Sequence, residues 1–80
     1  MTIAGYEQDC GVLRVQALSH GDEMCERVEG ALGVASRHLD RIRSGWLQLS
    51  PAVAKEIESS IARARALVGV GAAIETQSEP

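Results

Sequence analysis

The chain has 80 residues, which is enough for one small domain, and a hydrophobic content of 45 % excludes wholesale disorder. Phe is absent and the aromatic residues are Tyr6 and Trp46, so the core has to consist of Leu, Val, Ile and Ala. Such a core suits close helix packing better than a sandwich or barrel. The formal net charge of −3 is unremarkable, and two cysteines are too few for a disulfide framework.

The first 18 residues predict an N-terminal arm. Residues 1–10 are polar and irregular, and the following GVLRVQAL contains β-branched residues beside a glycine, which favours a short extended segment. We therefore expect a flexible or extended arm over residues 1–18. Two interpretations stay open: the arm covers the core of its own chain, or it pairs with a partner.

A first helix is predicted from Asp22 to about Ser44, with Asp22 or Ser19 as its cap. Its apolar side chains recur at steps of three and four, which makes a narrow seam suited to lengthwise packing against other helices. The seam consists of Met24, Val28, Ala31, Leu32, Ala35, Leu39, Ile42, Trp46 and Leu49. Gly30 and Gly33 are costly inside a helix, so we expect either close approach of another helix there or a bend.

A second helix is predicted to begin at Pro51, because Ser at the cap and Pro at the first position form a strong start signal. Ser44-Gly45 offers a C-cap for the preceding helix. The second helix should fray at residues 69–71, and residues 75–80 are predicted to be a disordered tail.

Together these elements predict an all-α fold, with residues 19–74 forming a helical hairpin behind the extended arm. Two helices alone shield only one side of each seam and leave the other side exposed. Pairing of two hairpins into a homodimeric four-helix bundle is therefore expected. The residues of the shared dimer and core seam are Val28, Leu32, Ala35, Val53, Ile57, Ile61 and Leu67.

Charge is distributed unevenly along the chain. Acidic residues dominate residues 1–30, and basic residues dominate residues 31–74. Helix dipoles explain this arrangement, because they favour acids in first turns and bases in last turns. The alternative explanation is attraction between opposite ends, in an antiparallel homodimer or on a charged partner.

No pattern of residues indicates catalysis, a cofactor or a metal. The soft ligands His20, His38, Cys10 and Cys25 lack the short paired spacing of zinc sites, and no base is placed beside a cysteine. We expect neither enzyme activity nor a bound metal. The sequence also lacks a signal peptide and a stretch long enough to span a membrane, so we expect a soluble cytoplasmic protein.

The corner between the two helices is the predicted partner-binding surface. Trp is enriched at interaction hot spots, although a single Trp at such a corner is also a common core plug. The residues expected to bind a partner are Leu39, Ile42, Trp46, Leu47 and Leu49.

The plan of the chain resembles two groups of proteins. VLRVQ at Val12–Gln16 and ARALV at Ala64–Val68, within a layout spanning about residues 11–69, resemble small helical-hairpin proteins of pseudomonads. In size and plan the chain is similar to short helical anti-activators that bind LuxR-type quorum-sensing transcription factors. That resemblance implies a non-enzymatic inhibitor that covers the dimerisation surface of a transcription factor.

Three other functions stay open. Acidic residues 22–29 would mimic nucleic acid in a phage-type inhibitor of a bacterial defence complex. The chain would also serve as a structural assembly subunit. Weak nucleic-acid binding through Arg37, Arg41 and Arg43 is disfavoured by the negative net charge and the scarcity of aromatic residues.

Overall fold

The computed structural model describes the backbone of residues 3–78 and the side chains of residues 3–71. Within these residues the chain forms three helices and no strand: α1 at Ile3–Leu18, α2 at Asp22–Arg43 and α3 at Pro51–Ser78. The all-α prediction is confirmed. The helices pack against one another in all three pairs.

Residues 3–18 form helix α1, where the sequence predicted a flexible or extended arm. The buried side chains of α1 follow helical steps of four, three and four, at Tyr6, Cys10, Leu13 and Ala17. The helical period was not recognised in the sequence because the outer face of the helix is also apolar, with Val12 and Val15 exposed to solvent. A helix that is apolar on both faces has no amphipathic signature to read.

The start of α2 has no side-chain cap. The cap position is Gly21, with φ 109° and ψ 169°, a combination open essentially only to glycine. Neither Asp22 nor Ser19 serves as the predicted cap, and the Ser19 hydroxyl donates to the Gln16 carbonyl at 2.6 Å instead.

The other helix boundaries agree with the sequence signals. Helix α2 ends before Ser44, and Gly45 takes a φ of 79°, as a glycine after a helix commonly does. Helix α3 begins at Pro51, and the Val53 N–H donates to the Ser50 hydroxyl oxygen at 3.3 Å.

Helix α3 continues through the residues that were expected to fray. It extends to Ser78, so residues 69–71 and 75–78 are helical, while residues 79–80 of the predicted tail lie outside the described residues. Packing explains the continuity at Gly71, which is buried against α2: a Cβ there would lie 2.7 Å from Met24 Cε. Close approach at a glycine therefore occurs here. At Gly30 and Gly33, where it was predicted, an added Cβ would meet nothing described within 4 Å.

The predicted dimer and core seam, which has seven residues, lies in the interior of the single chain. Five of its seven residues are buried and two are partly buried against the core. The buried members are Val28, Leu32, Ala35, Ile57 and Ile61, and the partly buried ones are Val53 and Leu67. Helix α1 covers the side of the seam that a second hairpin was expected to cover. Burial of this seam therefore does not require a second copy, and the homodimer stays a prediction.

Ion pairs connect α1 to both other helices. Arg14 of α1 binds Glu29 at 2.6 Å and donates to the Ser36 hydroxyl at 2.6 Å. Arg43 of α2 binds Glu7, and Arg65 of α3 binds Asp9 at 3.3 Å. Glu7 and Asp9 thus meet bases of the later helices within one chain, whereas Glu29 is paired with Arg14 of α1. Each partly exposed pair adds about 0–1 kcal/mol, and together the pairs favour one placement of α1.

Candidate interaction surface

The connection between α2 and α3, residues 44–50, holds the most exposed large apolar side chain of the described residues. Trp46 is 86 % exposed, and Leu49, three residues later, is 38 % exposed. A single exposed apolar residue is ordinary on a protein surface. An almost fully exposed Trp is not, because burial of its ring removes roughly 150–250 Å² of surface from water. This corner therefore leaves a large apolar group available to another molecule.

The backbone that carries Trp46 is held by hydrogen bonds to the last turn of α2. The Trp46 N–H donates to the Arg41 carbonyl at 2.9 Å, and the Gly45 N–H donates to the Ile42 carbonyl at 3.0 Å. With Gly45 in a left-handed conformation, these two bonds form a Schellman motif. In many such motifs the residue at the position of Trp46 packs back on its own helix. Here its ring stays in solvent on a well-defined backbone.

The structure separates the five predicted partner-binding residues into three environments. Trp46 and Leu49 are exposed, Ile42 and Leu47 are half-buried, and Leu39 is 4 % exposed within the core. Leu39 is unavailable to a partner in this fold, so its assignment to the binding surface is corrected to the core. The predicted seam continued past the Ser44-Gly45 cap, although steps of three and four describe one face only while the helix continues, and α2 ends at Arg43.

His38 and the two cysteines are further side chains that could take part in chemistry. His38 Nε2 lies 2.6 Å from Glu56 Oε2, and this contact joins α2 to α3. Cys10 and Cys25 are free thiols. Burial raises the pKa of the Cys10 thiol, and the nearby positive charge of Arg14 offsets part of that increase. The Cys10 thiol is therefore protonated at neutral pH, and a thiolate nucleophile is not available there.

Two surface grooves flank α1, and most of the charged groups that line them are paired within the chain. A groove of about 240 Å³ against α2 is lined by Arg14 and Arg43, which are both paired. A groove of about 220 Å³ against α3 contains Tyr6, whose hydroxyl donates to Glu58 at 3.1 Å. Burial, together with the hydrogen bond to Glu58 and its negative charge, raises the pKa of Tyr6. These contacts dock helices and offer few unpaired groups to a ligand.

The alternative functions depend on charged residues, and several of these residues form ion pairs within the chain. Arg43 binds Glu7, which leaves Arg37 and Arg41 exposed one turn apart. In the acidic segment, residues 22–29, Glu23 binds Arg27 at 3.0 Å and Glu29 binds Arg14. These pairs reduce the negative potential that a nucleic-acid mimic would need.

Among the described residues, no three His, Cys, Asp or Glu side chains come together in a way that could hold a metal ion. None of the helices in that part of the chain has the length and apolar character needed to cross a bilayer. No family model, curated protein or solved structure matches the chain. Its function must therefore be argued from its own geometry.

Proposed function

We propose that this chain is a small non-enzymatic regulatory protein that binds a partner protein through the corner formed by Trp46, Leu47 and Leu49. The observation that supports this function is the Trp46 ring, 86 % exposed on a backbone fixed by the Schellman motif. Binding inhibits the partner by covering an apolar surface that the partner needs for its own assembly.

Energetics favour the indole as the anchor of such a complex. Transfer of roughly 150–250 Å² of apolar surface out of water contributes about 4–6 kcal/mol at about 25 cal/mol per Å². Because backbone hydrogen bonds already hold residues 44–46, little backbone ordering is needed on binding. Leu49 adds apolar area beside this anchor, and the half-buried Leu47 contributes its accessible part. A central aromatic anchor surrounded by smaller contacts is the usual composition of an interaction hot spot.

The partner we propose is a transcription factor of the LuxR quorum-sensing type, with the chain acting as its anti-activator in the cytoplasm. Two features support this choice: the resemblance in size and helical plan, and an apolar binding corner suited to the apolar dimerisation surface of such a factor. Occupation of that surface would leave the factor monomeric and unable to bind a two-fold DNA site.

The test compares proteins retained from host lysate by the tagged wild type, by Trp46→Ala and by Val70→Ala. Val70 is a matched control, since it is exposed and apolar but belongs to α3. We expect one transcription factor to be retained by the wild type and by Val70→Ala and to be lost with Trp46→Ala. The retained factor is then purified, and its dimerisation and DNA binding are measured with and without the chain.

Two results would contradict the proposal. Equal retention by Trp46→Ala would show that the corner is not the binding surface. A retained factor that still dimerises and binds DNA when saturated with the chain would show that the complex is not inhibitory. Circular dichroism of each variant verifies that the helices are intact.

A further inference from the structure

Positive charge accompanies the Trp46 corner along the chain. Residues 41–55, which include the end of α2, the corner and the first turn of α3, contain Arg41, Arg43 and Lys55 and no acidic residue. The chain as a whole has a net charge of −3, so this excess of cations is a local property. The corner therefore combines exposed apolar side chains with neighbouring cations, and a partner has to match both.

Arg37 and Arg41 form a row of two cations on the outer side of α2, which we call the arginine row. They are one helical turn apart, about 6 Å along the helix axis. Both are exposed, and Arg37 lies two residues from each of the buried Ala35 and Leu39, which places it opposite the core. Within the described part of the chain, neither guanidinium forms an ion pair or a hydrogen bond. Both charges are therefore available to another molecule.

Acidic side chains near the arginine row are paired with other residues or directed elsewhere. Glu56 of α3 binds His38, and Glu7 of α1 binds Arg43. Asp40 lines the groove between α1 and α2, and neither arginine of the row lines that groove. Among the described residues, no carboxylate neutralises the row by direct contact.

The arginine row is joined directly to the apolar anchor. The Arg41 carbonyl accepts the hydrogen bond from the Trp46 N–H at 2.9 Å, so these residues occupy the C3 and C″ positions of the Schellman motif. The side chains at these two positions are neighbours in such motifs. A segment that packs on the indole is therefore within reach of the Arg41 guanidinium. Arg37 extends the positive surface by one further turn of α2.

We infer that the partner segment that binds this corner is acidic as well as apolar. A large apolar side chain of the partner packs on Trp46, and carboxylates beside it bind Arg41 and Arg37 through charge-assisted hydrogen bonds. Because the two arginines are one turn apart, carboxylates spaced by three or four residues on a helix of the partner match them. The inference rests on the proposed function, since it concerns the same corner, and it adds the chemistry of the partner.

Nucleic acid and an anionic membrane match the corner less well. Nucleic-acid binding depends on neutralising many phosphates, whereas the row supplies two cations in a chain of net charge −3. Interfacial binding to a membrane uses a long amphipathic helix with a broad apolar face, whereas the large apolar side chains exposed at this corner are Trp46 and Leu49. A protein segment fits both the small apolar area and the small charge.

Selection from a random peptide library displayed on phage tests the inference before the partner is known. The wild type and Trp46→Ala are parallel targets, and the sequences of interest are those that the wild type alone enriches. We expect these peptides to contain a large apolar residue together with Asp or Glu, and few Lys or Arg. Peptides that require Trp46 without preferring Asp or Glu would overturn the inference and leave the proposed corner intact. Absence of any peptide that requires Trp46 would contradict both.

Titration with the most enriched peptide measures the contribution of the arginine row, with the emission of Trp46, the single Trp of the chain, reporting binding. We expect Arg41→Gln to raise the Kd about two- to fivefold, as loss of one exposed ion pair does, and Arg37→Gln to have a smaller effect. Arg63→Gln is the matched control, because Arg63 is exposed but belongs to α3. Added salt should weaken binding by the wild type more than binding by Arg41→Gln. Equal Kd values for the wild type and Arg41→Gln, or equal losses for Arg41→Gln and Arg63→Gln, would overturn the inference.

Vesicles of phosphatidylcholine, with and without phosphatidylserine, test the membrane alternative. We expect neither kind of vesicle to shift the emission of Trp46. A shift with the phosphatidylserine vesicles alone would show that the cations at this corner bind lipid headgroups. That result would overturn the assignment of the corner to an acidic protein segment.

Discussion

The two connections of the bundle reverse the chain in very different ways. Residues 19–21 are enough to join α1 to α2, whereas residues 44–50 join α2 to α3. Each connection uses a glycine with positive φ, Gly21 at 109° and Gly45 at 79°. The shorter connection exposes no aromatic residue, and the longer one exposes Trp46. Since three residues can reverse the chain in this bundle, the additional length of the second connection is not explained by closure alone.

The comparison suggests a division of roles between the two ends of the bundle. At the α1–α2 end, backbone geometry and the contact between Met24 and Gly71 serve the fold. At the α2–α3 end, Gly45 ends helix α2 and Ser50 caps helix α3. The residues between them include the exposed apolar side chains of Trp46 and Leu49. Six substitutions, in four experiments, measure how well this division holds.

Leu39→Ala should have the largest effect, a loss of about 2–5 kcal/mol in the free energy of unfolding. Leu39 lies in the core close to the end of α2, and truncation would leave a cavity. Chemical denaturation followed by circular dichroism measures the change. A loss of less than about 0.5 kcal/mol would mean that Leu39 belongs with the exposed corner after all.

Gly21→Ala should cost about 1–3 kcal/mol, because its φ and ψ are essentially restricted to glycine. Gly45→Asn should be tolerated better, since Asn adopts left-handed conformations more readily than other residues with side chains. Thermal unfolding of the two variants side by side gives the comparison. Equal tolerance of both changes would remove the distinction between the two glycines.

Ser50→Ala should cost about 1 kcal/mol, because the Val53 N–H loses the hydroxyl oxygen that accepts its hydrogen bond. Ser19→Ala is the matched change in the other connection, and its effect should be smaller, because Ser19 caps no helix N-terminus. Denaturant midpoints distinguish the two. A larger loss for Ser19→Ala would show that the α1–α2 connection depends on its side chains.

Trp46→Ala should have the smallest effect on stability, within about 0.5 kcal/mol, because the ring is almost fully exposed. The emission of this single Trp gives an independent measurement: in the free wild type it should have the long wavelength of a solvated indole. Emission at a short wavelength would show that the Trp46 ring is buried in the core. A destabilisation of about 2 kcal/mol or more, as expected for truncation of a core residue, would show the same.

Helices α2 and α3 could be predicted because their signals are local. The Ser50-Pro51 start, the Ser44-Gly45 end and the seam spacing each involve residues within a few positions of one another. For Trp46 the sequence left open a core plug and a partner-binding side chain, and the 86 % exposure of the ring excludes the core plug in this fold. The separation of Trp46 from Leu39 was missed although the Ser44-Gly45 signal lies between them, because the spacing of the seam was continued past that signal.

The sequence by itself therefore determined the helical class, the extent of α2 and the start of α3. Tertiary structure decided the conformation of residues 3–18, the burial of the seam by α1 and the pairing of Glu7 and Asp9 with Arg43 and Arg65. The physical reason is distance along the chain. Caps and helical periods arise between near neighbours, whereas α1 docks through contacts between residues that are far apart in sequence and leave no local pattern.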